Sequence, residues 1–194
     1  MPQYDIVLIG IGGKAGAGKS TAQHMLELML PKHYKPCCFN FADEVKRVAR
    51  DFFGWNGVKD EAGRRLLQAI GQWGRSIDPN FWIRAWWELV IDAYRAEPLA
   101  IIAADVRFPI ELDIFNPWAT KHRGLTSRLN WDAMNYARFS LMVTGRGGLT
   151  GDVAADVSEN SVTPDMFTNT IDNSASAGEL RQSLRSLIER NEIT

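Results

Sequence analysis

The sequence predicts an α/β fold in which a central, mostly parallel sheet is covered by helices on both faces. Three observations carry this expectation. Short apolar, β-branched runs alternate along the chain with segments whose apolar residues recur at helical spacing, the pattern of repeated strand–helix units. The clearest strand-like runs are apolar throughout, as strands buried on both faces must be. The chain has 194 residues, enough for a single domain spanning 1–194 with a sizeable buried core.

The elements follow in order. Ile6–Ile11 reads as a buried strand, and Gly12–Gly18 as a glycine-rich loop. Ala22, Met25, Leu26 and Met29 then mark a helix that stops near Pro31. Cys37–Phe41 reads as a second short strand. Val45, Val48, Ala49 and Phe52 mark the next helix, closed by Gly54. Leu66, Leu67, Ile70 and Trp73 mark another. Asp78-Pro79 predicts a helix start, and Trp82, Ala85, Trp86, Leu89, Val90 and Ala93 form its apolar stripe. Leu99–Ala104 is a fully apolar strand with Asp105 at its carboxyl end. Asn116–Arg138 gives a weak signal, with a helix expected around Trp131–Arg138. Leu141–Thr144 and Thr168–Ile171 read as strands. Ser176 and Glu179 form a capping box that opens a last helix carrying Leu180, Leu184, Leu187 and Ile188. A mobile insert, or lid, is placed within 116–151.

Composition narrows the function classes. Apolar residues at 45% and charged residues at 23% exclude a disordered or fibrous chain. Lysine plus arginine is 22 against 23 acids, so no basic excess drives stable nucleic-acid binding. No apolar run approaches the ~20 residues of a membrane helix. The start Met1–Asp5 lacks a basic leader region, so a cytoplasmic protein without membrane contact is expected. Cys37 and Cys38 are adjacent, which suits neither a framework disulfide nor a metal site; they read as two buried thiols in a reducing compartment.

Gly13-Lys14-Ala15-Gly16-Ala17-Gly18-Lys19-Ser20 fits G-x-x-x-x-G-K-[ST] and lies between a predicted strand and a predicted helix. Glycines let backbone N–H groups converge on phosphate oxygens, and the helix start adds its positive end. Lys19 is placed to reach the β- and γ-phosphates of ATP and Ser20 to hold Mg²⁺, with Thr21 as a further phosphate contact. Lys14 is either another phosphate contact or a solvated cation. The fold is therefore expected to be a P-loop three-layer sandwich.

A P-loop names a nucleoside triphosphate but not a reaction. Phe41, Asp43, Lys46 and Arg47 sit at a strand-to-helix junction, where ligands of open α/β sheets bind. Asp43 reads equally as a sugar or base contact and as a helix cap. Arg75, set between Gly74 and the cap at Asp78, is positioned to grip a phosphate. Trp82 either stacks on a base or packs in the core. Asp105 can organise Mg²⁺ and its waters or cap a helix, and Arg107 can bind an acceptor phosphate. Arg146, among Gly145, Gly147 and Gly148, suits a lid that delivers charge on closure, or else an exposed turn.

Taken together, the P-loop, Phe41-Ala42-Asp43-x-x-Lys46, Arg75-x-x-Asp78-x-x-Phe81-Trp82, Asp105-Val106-Arg107-Phe108-Pro109-x-Glu111 and Ser158-Glu159-Asn160 resemble the phage-type deoxynucleoside monophosphate kinases. The blocks keep that family's order over about residues 6–160. Ile110 stands where the family often has Asn, and Asp156 where a His commonly precedes Ser-Glu. The resemblance implies a nucleoside-monophosphate-kinase-like fold, ATP with Mg²⁺, and transfer to a deoxynucleoside 5′-monophosphate (dNMP). It makes a homodimer plausible and implies a host-cytoplasmic setting if the chain is phage-encoded. Under it, Lys19, Arg75, Asp105, Arg107 and Arg146 are the catalytic candidates. Phe41, Asp43, Lys46, Arg47, Trp82, Glu111, Ser158 and Glu159 join Arg75, Asp105 and Arg107 around the dNMP, and Ser20 and Asp105 serve the metal. A P-loop kinase for another nucleoside or metabolic phosphate is the alternative. The guanine-reading Asn-Lys-x-Asp segment of GTPases is absent from the sequence.

Overall fold

A computed structural model of the protein describes residues 4–94, 97–116, 135–145 and 160–193. The strands are β1 (Ile6–Gly12), β2 (Lys35–Cys38), β3 (Leu99–Val106), β4 (Tyr136–Thr144) and β5 (Asn169–Asp172). They form one sheet in the order β2-β3-β1-β4-β5, with every neighbouring pair parallel. The helices are α1 (Lys19–Met29), α2 (Phe41–Phe53), α3 (Glu61–Ile77), α4 (Phe81–Ala93), the single turn α5 (Pro109–Leu112) and α6 (Ala177–Arg190). The α/β expectation holds.

The sheet is buried on both faces, which is why β1 and β3 are apolar without a break. Along β1, Val7, Ile9 and Ile11 point to the layer of α1 and α6, while Ile6 and Leu8 point to the layer of α4 and Phe115. Leu180, Leu184, Leu187 and Ile188 of α6 are all buried, each contributing about 1.5–3 kcal/mol. A separate apolar cluster, Val45, Ala49, Trp55, Ile70 and Trp82, joins α2, α3 and α4 to one another away from the sheet. These three helices connect β2 to β3; α2 and α3 stand beyond the carboxyl ends of the strands, and α4 lies on the sheet face through Ile83, Trp86, Trp87 and Val90.

Several local expectations are corrected. Phe41 does not end a strand; it opens α2. Asn40 caps that helix, its N–H donating to Asp43 Oδ2 (2.9 Å) and its Oδ1 accepting from Ala104 N–H (2.9 Å). Asp78 ends α3 and pairs with Arg84, and Asn80 precedes α4 instead. Tyr136–Arg138 are strand, not helix, because pairing with Ile6–Leu8 in the middle of the sheet overrides a weak local pattern. Residues 131–134 of that expected helix lie outside the described residues, as do 117–134 and 146–151 of the range in which the insert was placed. Trp73 is 57% exposed, and the buried face of α3 is instead Gly63, Ile70, Gly71 and Gly74. The two thiols are half-buried, and Cys38 Sγ donates to Glu27 Oε1 at 2.7 Å.

Candidate functional site

β1 delivers the chain into a tight loop that closes at the start of α1. Gly13, Gly16 and Gly18 all have positive φ, at 142°, 80° and 99°. A Cβ on Gly13 would strike the Val143 carbonyl oxygen, and one on Gly18 would strike Asn173 Nδ2. The loop thus needs glycine for both conformation and close approach. Lys19 folds back over it, with Nζ donating to Gly13 O (2.6 Å) and Lys14 O (2.9 Å). The first N–H groups of α1 lack helical carbonyl partners, so an anion is favoured at this end. Lys14 and Thr21 are exposed here. The loop is also anchored from the far side of the sheet. Asn173, buried just past β5, donates from Nδ2 to Ala17 O (2.9 Å) and from its backbone to Thr144 O (2.9 Å).

Beside this loop opens a cleft of about 500 Å³. Ala15, Ser20 and Gln23 form its wall on the loop side, and α2, α3 and the end of β3 form the rest. This is the crevice outside the carboxyl ends of β1 and β3, where open α/β sheets bind ligands. Five cations line it: Lys46, Lys59, Arg64, Arg75 and Arg107. Arg64, Gln68, Gly71 and Arg75 follow at i, i+4, i+7 and i+11, one face of α3 spanning roughly 16 Å. Arg64 Nε donates to Lys59 O at 2.9 Å, tying two of the cations together. The Lys59 pKa is held below the usual lysine range, first by desolvation of its ammonium and then by the charges of Lys46 and Arg107. A desolvated ammonium set beside other cations marks a place where an anion is stabilised.

Two acids meet the cations. Asp105 at the end of β3 accepts Phe41 N–H on Oδ1 (3.0 Å) and Ala42 N–H on Oδ2 (2.9 Å). It therefore caps α2 from another element while facing the cleft. Burial raises its pKa against the pull of those two bonds. Glu111 is 6% exposed, and its Oε2 accepts both Arg107 N–H (2.9 Å) and Phe108 N–H (3.1 Å). It shapes the turn that presents Arg107. Burial, then the charge of Asp105, pushes its pKa up to about 8.

Thus Ala15, Ser20, Phe41, Lys46, Arg75, Trp82, Asp105, Arg107 and Glu111 are gathered around one cleft. Trp82 is 4% exposed, donates from Nε1 to Gly71 O (2.9 Å), and packs edge-on to Phe81, so it is core as well as cleft wall. Of the described residues expected around the dNMP, two are not on the cleft. Asp43 is engaged in the α2 cap and in a 2.7 Å pair with Lys46. Arg47, a helical step of about 100° from Lys46, faces outward and pairs with Glu44 (2.8 Å) and Asp51 (3.3 Å). Arg146, Ser158 and Glu159 lie outside the described residues. Sequence reasoning missed Gln23, Lys59, Arg64, Gln68 and Asn173. None of them carried a clear signal: Asn173 follows the polar strand Asn169–Asp172, and the others look like ordinary surface polar residues.

Magnesium keeps most of its waters and takes one or two protein oxygens beside substrate phosphates. Ser20, on the shared wall of loop and cleft, and Asp105 fit that sparse donor set. Because both Asp105 oxygens already accept N–H bonds, its part would be to a metal-bound water.

The chain matches no protein-family model. It is 28% identical over 105 residues to the uncharacterized protein ORF77 of Ictalurid herpesvirus 1 (strain Auburn). That match covers 54% of this chain, which spans 44% of the length of that relative. Solved structures of similar arrangement include kinases and a resistance protein. They include an APS kinase of Mycobacterium tuberculosis (14% identity, TM-score 0.45, 97% of this chain and 99% of that one). The thymidylate kinase of Candida albicans follows (14%, 0.47, 100% and 94%). The third is the tunicamycin resistance protein of Deinococcus radiodurans (16%, 0.48, 97% and 96%). Among the described residues, no helix is long and apolar enough to cross a membrane.

Proposed function

We propose that the chain transfers the γ-phosphoryl group of ATP to the phosphate of a deoxynucleoside 5′-monophosphate, giving ADP and a deoxynucleoside diphosphate for DNA synthesis. One observation carries the reading: a phosphate-loop geometry and a cleft lined by five cations share a wall at Ala15 and Ser20. A cleft of that charge suits a second substrate that is itself an anion. The sequence resemblance to dNMP kinases supports the choice of acceptor.

The chemistry needs little from the protein beyond placement. A monophosphate ester has a second pKa near 6 and is largely dianionic at neutral pH, so no general base is required. The bond from the γ-phosphorus to the ADP oxygen breaks as one to an acceptor phosphate oxygen forms. Two anions must be held in line, and the barrier falls through positioning and charge neutralisation. Lys19 and the start of α1 hold the donor phosphates. Arg75 and Arg107 hold the acceptor phosphate, with Lys46, Lys59 and Arg64 adding positive field. Magnesium, when bound, neutralises charge on the β- and γ-oxygens; Ser20 and Asp105 would hold it and its water shell. Arg146, as a lid charge, and Ser158 and Glu159, as substrate contacts, enter this reading from the sequence resemblance alone.

The test is ADP release from Mg-ATP with a panel of deoxy- and ribonucleoside monophosphates, beside Lys19→Ala. Turnover that depends on a dNMP and disappears in Lys19→Ala, with an unchanged melting temperature, is expected. Turnover only with a different phosphorylated acceptor would reassign the substrate class. ATP bound without any acceptor-dependent turnover would refute the kinase assignment.

A further inference from the structure

Two residues of α3 and the turn after β3 explain a feature the mechanism has so far left open: how a long arginine is kept aimed at the acceptor. The Arg75 guanidinium carbon lies 4.4 Å from the centroid of the Phe108 ring. One turn earlier on the same helix is buried Gly71. A Cβ there would stand 3.2 Å from Nη2, 3.5 Å from Nη1 and 3.7 Å from Cζ of Arg75. Both Nη are nearer than Cζ, so the guanidinium turns its Nη edge toward the bare glycine backbone while its Cζ lies against the Phe108 ring. Glu111 is close enough for the Arg75 charge to act on its carboxyl. The helix turn below is itself fixed. Trp82 donates to Gly71 O, and its indole occupies the space beside Gly74, where a Cβ would sit 2.7–2.8 Å from the ring.

We infer that Gly71 and Phe108 form a slot that holds the guanidinium plane of Arg75 across the cleft, making both of them positioning residues for acceptor binding. The inference rests on the proposed reading of the cleft. The logic is preorganisation. An arginine fork binds phosphate through two parallel N–H bonds, which requires one plane, and a fork fixed in advance loses less freedom when the anion arrives. Gly71 leaves the space and Phe108 supplies an aromatic face that attracts the cation. The spacing Gly71-x-x-Gly74-Arg75 thus has two jobs: one glycine admits the guanidinium and the other admits Trp82.

The experiment measures acceptor KM, ATP KM, kcat and melting temperature for the full chain and for Phe108→Leu, Phe108→Tyr and Gly71→Ala. Alanine is the better helix former, so loss of acceptor use in Gly71→Ala would not come from a weakened helix. Phe108→Leu and Gly71→Ala are expected to raise acceptor KM about fivefold, the scale of a cation–π contact, with ATP KM within about twofold of wild type. Phe108→Tyr keeps the ring and is expected to restore the wild-type acceptor KM. An unchanged acceptor KM in Phe108→Leu, or an equal rise in both KM values, overturns the slot. If the wild type turns over no monophosphate, the function proposed above fails, and the slot is judged separately by titration with inorganic phosphate. Weaker phosphate binding in Phe108→Leu than in wild type or Phe108→Tyr then supports the slot, and equal affinity overturns it.

Discussion

Glu111→Gln should remove a pH-dependent weakness from the fold. Glu111 Oε2 accepts two backbone N–H bonds, and the amide oxygen of glutamine can accept the same pair. The substitution therefore keeps the geometry and removes only the ionisation. In the folded chain the carboxyl pKa is raised from 4.5 to about 8, by burial first and by Asp105 second. The unfolded chain then loses its proton at lower pH than the folded one. The wild type is most stable below the lower value and loses stability as pH rises towards the upper. Each pH unit in that window is worth about 1.4 kcal/mol, so moving from about pH 5 to about pH 7 costs roughly 2.7 kcal/mol through this one group. Glutamine does not titrate, and the gap in its favour should widen by that amount over the same interval. Urea unfolding at the two pH values reads the difference directly, since slopes should be unchanged. Parallel stability profiles would refute the reasoning. A wild type that gained on the variant with rising pH would mean that the two N–H bonds and Arg75 outweigh burial.

Three further outcomes are expected. Asn173→Ala should raise ATP KM several-fold with little effect on acceptor KM, because the loss of one buried bond to Ala17 O, about 1–2 kcal/mol, falls on the phosphate loop; equal KM values for ATP in both forms would contradict it. The Cys38 thiol, pushed up to about 12 by burial and by its bond to Glu27, should resist alkylation near pH 8, and Glu27→Gln should speed it, as timed mass spectrometry would read. Ser140→Ala should lower stability by about 1–3 kcal/mol, since the fully buried hydroxyl donates to Asn116 Oδ1 (2.7 Å) and accepts Thr168 N–H (2.9 Å); chemical denaturation would register it.

The sheet was legible because its inner strands β1 and β3 are buried on both faces. An unbroken run such as Leu99–Ala104 has few other readings in a chain this size. The phosphate loop was legible because its backbone demands glycine at fixed offsets. Tyr136–Arg138 misled because a central strand draws its stability from Ile6–Leu8, more than a hundred residues away. Within the site, the split between Lys46 and Arg47 is a matter of helix phase, which the motif alone does not fix. Lys59 and Arg64 look like solvated charges in sequence. Only the folding of α3 back across the cleft gives them neighbours of the same sign. Asp105 was legible as a strand-end acid, and its capping role was weighed. That it caps α2, across the sheet edge and not on its own segment, is a tertiary fact.

That clamp sets where the acidic edge of the cleft stands. The sheet grips the start of α2 through Asp105 on Phe41 and Ala42, and through Asn40 on Ala104. The rest of α2 and α3 packs in its own apolar cluster with Trp82. Through Trp82 that cluster continues into α4, whose Ile83, Trp86 and Val90 are packed in the core with β1 and β3. The acidic edge of the cleft is thus seated on the sheet by two separate elements, so an incoming anion meets an Asp105 whose place is already set and loses less freedom of the protein on binding.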